Sequence, residues 1–272
     1  APLLGRARLS PYGFGAHLNQ FANEVVLAMY AGKPLALCTP PGVRDEWALY
    51  FQDPGFGHCD SCDWGQGPRR FKQMGWDVND GPDHTHMAEV KRFVYTKLFA
   101  LQSTAQIAVD EGLSSLGLDG DRAYVGVHVR RGDKVNEVPP VPTSRYAAAV
   151  ADMCSTAGTS TIFLASDDET VHKELQEQLG PSFQVVEQQR LLADAYVLRG
   201  AASRSLTPPF GEEEEEKSVL VDVMALVRSA GFVGTASSNI DRLVYFLRDP
   251  TKPSLSLDEG GNAGFVMLAG PR

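Results

Sequence analysis

Between residues 124 and 248 the chain alternates short apolar runs with stretches of helical period, and this pattern leaves few folds open. Residues 124–130, 161–165, 183–186 and 232–235 read as strands. Residues 144–155, 169–179, 217–230 and 240–248 read as helices, with Ser144 at the N-cap position of the first. A strand followed by ten or so helical residues cannot turn back as a hairpin. Each unit must cross over and lay the next strand parallel. The expectation is a parallel sheet whose working groups sit on loops leaving the carboxyl ends of the strands.

The first half is less regular. Gly13-Phe14-Gly15-Ala16 precedes a helix over residues 17–31, where Leu18, Phe21, Ala22, Val25, Val26 and Met29 share one face. Gly32-Lys33-Pro34 ends it, and residues 35–38 read as a buried strand. Residues 39–86 are rich in Gly, Pro, Asp and Trp and read as irregular. Helical period returns over 87–117, with Val90, Phe93, Val94, Leu98 and Leu101 at core spacing, then Ile107 to Leu116. Trp47, Tyr50, Phe51, Trp64 and Trp76 lie in or beside the irregular part. Such rings either staple a long loop or stack on a sugar face; the staple is the commoner use.

Composition excludes several classes. With 272 residues and 43% hydrophobic content the chain can bury a core. A net charge of −9 argues against a protein that coats nucleic acid. Five of those charges match the glutamate run 212–216, read as a solvated loop after Pro208-Pro209. No stretch approaches the roughly 18–20 apolar residues of a membrane helix. The residues after Ala1 carry no signal-peptide apolar region. Cys59 and Cys62 have C-x-x-C spacing without a second pair, which leaves a local disulfide, free thiols, or a metal or redox pair open. Asp119-Gly120-Asp121 has the spacing of a metal-binding D-x-D but precedes a strand, at the wrong end of a parallel sheet. His84-Thr85-His86 offers two imidazoles with no third ligand. No metal site is expected. Gly13-x-Gly15 lacks the third glycine of a dinucleotide fingerprint, which weighs against an oxidoreductase.

The polar clusters fall at the strand ends. His128-Val129-Arg130-Arg131-Gly132-Asp133-Lys134 follows the first strand, Ser166-Asp167-Asp168 the second, and Ser237-Ser238-Asn239 the fourth. The last opens a helix that carries Asp241 and Arg242. A helix start lined with Ser and Asn suits a phosphate. Adjacent arginines on an extended chain point to opposite faces. One could reach a ligand phosphate while the other pairs with Asp167 or Asp168; the plainer reading is an exposed basic turn.

These residues carry a resemblance. Gly126-Val127-His128-Val129-Arg130-Arg131-Gly132-Asp133-Lys134-Val135 resembles the signature of the α1,6-fucosyltransferases that use GDP-fucose, with Gly132 where the family has Thr. The similarity continues through Leu164-Ala165-Ser166-Asp167-Asp168, Val219-Leu220-Val221-Asp222 and Thr235-Ala236-Ser237-Ser238-Asn239, the family having Gln at the last position. Gly13-Phe14-Gly15-Ala16-His17-Leu18 resembles its N-terminal glycine loop more loosely. The agreement covers residues 124–248, and nothing in these 272 residues resembles the family's coiled stem or SH3-like module.

The resemblance implies an α/β, GT-B-like fold of two Rossmann-like domains facing a cleft. Residues 1–118 would form the acceptor side, 119–250 the nucleotide-sugar domain and 251–272 a tail. Arg130 would contact the donor diphosphate, His128 and Asp222 would hold guanine, and Ser237, Ser238 and Asn239 would line the phosphate pocket. Arg131, Asp133, Lys134, Tyr146, Asp167, Asp168, Gly13 and Gly15 would be further donor-side or structural positions. The implied reaction is an inverting, metal-independent transfer of fucose from GDP-fucose to a glycan hydroxyl, in the Golgi lumen of the secretory pathway. Glu137 would be the base, although it lies three residues past Lys134 where the family's glutamate lies four past. The alternative for Glu137 is a solvated loop residue, with Asp133 in reserve. The alternative for the chain is a non-catalytic binding or structural subunit.

Overall fold

The structure is a computed structural model that describes residues 3–6, 19, 22, 25–26, 35–38, 50–52, 57–58, 84–120, 122–131, 139–188 and 213–258. The chain divides into two compact units, the first built mainly from residues 1–107 and the second mainly from 108–205 and 212–261. The division falls after Ile107, inside the helix Ser103–Ser115.

In the first unit β1 (Leu3–Arg6), β2 (Leu35–Cys38) and β3 (Gly57–His58) form a parallel sheet in the order β1-β2-β3. Of these, β2 was expected. Residues 19, 22, 25 and 26 are helical, and Ala22, Val25 and Val26 are buried, as their spacing predicts. Helix α1 (His84–Leu98) buries Val94, Tyr95 and Leu98, and the Tyr95 hydroxyl donates to Asn19 Oδ1. Phe93, expected in the core, is 56% exposed instead, with the Lys97 ammonium 5.9 Å from its ring centre. Tyr50 and Phe51 are buried. Their backbone joins the chain after α1 through Gln52 N–H to Ala100 O (2.7 Å) and Gln102 N–H to Tyr50 O (2.8 Å), and Phe51 packs on Phe99 with ring centres 5.1 Å apart. These two aromatics staple the segment. Trp47, Trp64, Trp76, Cys59 and Cys62 lie outside the described residues.

Helix α2 (Ser103–Ser115) leads into the second unit. There β4 (Val125–Val129), α3 (Thr143–Ala157), β5 (Thr161–Ser166), α4 (Thr170–Leu179), β6 (Gln184–Glu187), α5 (Glu213–Arg228), β7 (Gly231–Gly234), α6 (Asn239–Leu247) and β8 (Ser254–Ser256) follow in turn. The sheet is parallel throughout, in the order β6-β5-β4-β7-β8. Val125, Val127, Val129, Ile162, Leu164 and Val233 meet Tyr146, Val150 and Cys154 of α3 and Val171 and Leu175 of α4 in one core. The opposite face of β4 packs so closely on α5 that a Cβ on Gly126 would stand 2.9 Å from Ser229 Oγ. Burial pushes the Cys154 thiol up to about 11, so it is a core residue rather than a nucleophile.

Three boundaries differ from expectation. Helix α3 begins at Thr143 after Pro142, an N-cap residue with no side-chain acceptor, so it has no side-chain cap; Ser144 lies inside the helix and is not its N-cap. Residues 213–216 of the glutamate run are the first turn of α5, not a loop; glutamate is a good helix former and favours the positive N-terminal end. Residues 254–256 are not tail but the edge strand β8, paired in register with β7 from Phe232↔Ser254 to Gly234↔Ser256. The buried Arg248 guanidinium closes the lower end of the sheet, donating to Leu226 O (2.6 Å) and Ser229 O (3.1 Å) at the end of α5.

Candidate functional site

Numbered from the start of the second unit, the strand order is 3-2-1-4-5. In such a sheet the crossovers leave the first and fourth strands in opposite directions, and a crevice opens at their carboxyl ends. Those strands are β4 and β7. Arg130 and Arg131 follow β4; Thr235-Ala236-Ser237-Ser238 follows β7 and leads into α6. The polar clusters picked from sequence therefore meet at the switch point of the sheet.

Both arginines have carboxylate partners, rather than one of them alone. Arg130 Nη1 lies 3.1 Å from Asp167 Oδ2, and the other oxygen of Asp167 accepts the Arg131 backbone N–H at 2.8 Å. Asp167, at the end of β5, thus clamps the turn after β4. Arg131 reaches Asp168 Oδ2 (3.2 Å) and both oxygens of Glu174 (3.2 and 2.8 Å), and donates to the Thr143 hydroxyl. Thr143 in turn donates to Glu174 Oε2 at 2.5 Å. Hydrogen bonds from Arg131 and then Thr143 pull the Glu174 carboxyl down to about 2. Burial raises Asp168, but hydrogen bonds from Thr170 and Arg131 outweigh it and leave the carboxyl below its usual range. Arg131 is tied to α3 and α4. Arg130 is more open, with 31% of its side chain exposed.

On the face of β4 that looks toward α5 and α6, His128 is buried and its Nδ1 lies 2.5 Å from Asp241 Oδ1. The second oxygen of Asp241 accepts the Thr235 N–H (2.7 Å) and hydroxyl (3.1 Å). Tyr146 is buried in α3 with its hydroxyl bonded to the Thr235 side chain. Burial, with Asp241 adding to it, pushes that phenol well above its usual value. Asp222 is buried on α5 and accepts from Gln188 Nε2 at 2.5 Å, just past the end of β6.

Ser238 caps α6, its Oγ accepting from the Asp241 N–H, and Asn239 Oδ1 accepts from Arg242 Nη1 at 3.2 Å. Asp258, just after β8, accepts the backbone N–H groups of Ala236 (2.7 Å) and Ser237 (3.1 Å). That carboxylate braces the turn before α6 from the edge of the sheet.

Gly13, Gly15, Asp133, Lys134 and Glu137 lie outside the described residues. Asp119, the first carboxylate of the D-x-D spacing, precedes β4 and accepts from Ser114 Oγ at 2.9 Å. Among the described residues no group of three or more His, Cys, Asp and Glu side chains is placed to hold a metal ion, and no helix is long and apolar enough to cross a membrane.

Asp241, Glu174, Gln188 and Asp258 were missed as site residues. Asp241 had a signal, since Ser238-Asn239-Ile240-Asp241 has the spacing of a capping box. The others are joined to the site only by folding.

No protein-family model matches the chain, and no curated protein matches its sequence. Solved structures do match. A NodZ α-1,6-fucosyltransferase soaked with GDP-fucose is similar over 98% of both chains, at 17% identity and a TM-score of 0.57. POFUT1 in complex with GDP-fucose is similar over 95% of both chains, at 12% identity and a TM-score of 0.54. A mutant of Arabidopsis thaliana FUT1 in complex with GDP is similar over 93% of this chain and 69% of its own, at 12% identity and a TM-score of 0.53. The chain has the GT-B type of α/β fold found in these fucosyltransferases.

Proposed function

We propose that the chain is a GDP-fucose-dependent fucosyltransferase that moves fucose to a glycan hydroxyl by a single inverting displacement without a metal. One observation carries this reading: Arg130 and the Ser238-capped start of α6 meet at the switch point of a 3-2-1-4-5 sheet. The fold is shared with proteins solved with GDP or GDP-fucose bound, which supports the choice of donor. Departure of GDP leaves charge on the diphosphate. A fixed guanidinium and a helix N-terminus stabilise that charge without a metal. The acceptor hydroxyl attacks the anomeric carbon as its proton passes to a base, a role assigned to Glu137 from the resemblance. The secretory lumen is the compartment this chemistry suggests.

Calorimetry with GDP, GDP-fucose, UDP and ADP, followed by fucose transfer to oligosaccharides with and without EDTA, tests the reading. Selective GDP binding and EDTA-resistant transfer are expected. Absence of binding to all four nucleotides would sink it. A second reading, a binding subunit without transfer, is favoured by the one-residue shift of Glu137 relative to Lys134. GDP binding without donor turnover would select it.

A further inference from the structure

Asp241 lies outside every motif that suggested a nucleotide site, yet it is fully buried and bonded to His128. A buried carboxylate needs its lone pairs filled, and this one has three donors from two elements. Oδ1 faces His128 Nδ1 at 2.5 Å, and Oδ2 takes both the N–H and the hydroxyl of Thr235. An ionised carboxylate only accepts, so the proton of that short contact belongs to Nδ1. In the neutral form of such a ring the lone pair lies on Nε2. Among the described residues Nδ1 is the hydrogen-bonded nitrogen of this ring, and Nε2 has no partner. A Cβ on Gly234 would come within 3.0 Å of Asp241 Oδ1, so the glycine permits this approach.

We propose that Asp241 is a positioning residue that holds His128 as the Nδ1–H tautomer, so that Nε2 accepts an N–H from the edge of a nucleobase. The inference rests on the nucleotide reading given above and deepens it. One carboxylate serves two parts of the site: Oδ1 sets the ring on β4, and Oδ2 fixes the turn that opens α6. The arrangement is that of a second residue orienting an imidazole by bonding its far nitrogen.

Asp241→Asn tests it with almost no change of volume. If the Asn oxygen keeps the Thr235 N–H, its amide presents a donor to Nδ1, and the ring proton must move to Nε2. A long-range proton–nitrogen spectrum of histidine-labelled, nucleotide-free protein reads the tautomer directly, and calorimetry reads GDP affinity. Wild-type protein should show Nδ1–H. Asp241→Asn should show Nε2–H and bind GDP about tenfold more weakly or worse. His128→Asn keeps an N–H for Asp241 and deletes Nε2, so it should stay folded and lose affinity to a similar degree. An Nε2–H ring in wild-type protein overturns the proposal, as does unchanged GDP affinity in either folded variant. Should Asp241→Asn fail to fold, the wild-type spectrum and His128→Asn decide alone. A wild-type protein with an Nδ1–H ring that binds no nucleotide overturns the base-accepting role through the nucleotide reading, and the spectrum separates that failure from a wrong tautomer.

Discussion

Arg131 and Glu174 face each other as two parallel prongs, Nη1 to Oε1 at 3.2 Å and Nη2 to Oε2 at 2.8 Å. A planar guanidinium matches a carboxylate in this way and an ammonium does not. Through Thr143 and Asp168 the same side chain also reaches the start of α3 and the loop after β5. Arg131 is therefore a fastener for the turn that presents Arg130.

Replacing that carboxylate should loosen the turn and change acid stability. Glu174 is 40% exposed, so solvent screening limits its contribution to about 1 kcal/mol. Glu174→Gln should lower the thermal midpoint by about 2–4 °C at pH 7. The folded carboxyl titrates at about 2 and the unfolded one near 4.5. The stabilisation is thus complete above pH 4.5 and is lost as pH falls toward 2. The wild-type and Glu174→Gln midpoints should converge over that window. A constant gap down to pH 2 would remove the ion pair as its cause.

Arg130 tests the leaving-group role. Its side chain is the more exposed of the two and pairs with Asp167 at 3.1 Å. Arg130→Ala should keep the far-ultraviolet dichroism spectrum and lower fucose turnover by about 10²–10³-fold. Undiminished transfer would reassign the diphosphate contact.

Strands β4, β5 and β7 were legible because each is a buried apolar run followed by a helix of clear period. Strand β8 was not. Ser254-Leu255-Ser256 carries no pattern of its own and becomes a strand by pairing with β7. Helix α1 shows the limit of periodicity on a polar surface: Phe93 fits the apolar spacing but lies on the solvent side, with the Lys97 ammonium 5.9 Å from its ring centre. At the site, the arginine and serine clusters stood out because local sequence places them at strand ends. Their partners did not. Glu174 is an ordinary helical glutamate and Asp258 an ordinary loop acid until the fold sets them against Arg131 and the Ala236 amide.

The base assignment needs a variant that separates binding from chemistry. Glu137→Gln keeps shape and removes proton acceptance. GDP affinity should stay within about twofold while transfer falls about 10²–10⁴-fold. Calorimetry and product assays on the same preparation read both. Wild-type rates would move the base to another residue, with Asp133 the next to test.

The approach of β7 to α6 gives the last prediction. A Cβ on Gly234 would stand 2.9 Å from Asp241 Cγ and 2.8 Å from Phe232 Cζ, both belonging to fully buried side chains. Neither neighbour can swing into solvent, so Gly234→Ala must push on the carboxylate that holds His128 and Thr235. Urea unfolding should show a loss of about 1–3 kcal/mol, the usual cost of overpacking. The protein that remains folded should bind GDP more weakly than wild type, because the ring of His128 and the turn before α6 both lose their anchor. Calorimetry below the urea transition separates the two effects. Lost stability with unchanged GDP affinity would show that Asp241 shifts without disturbing the site.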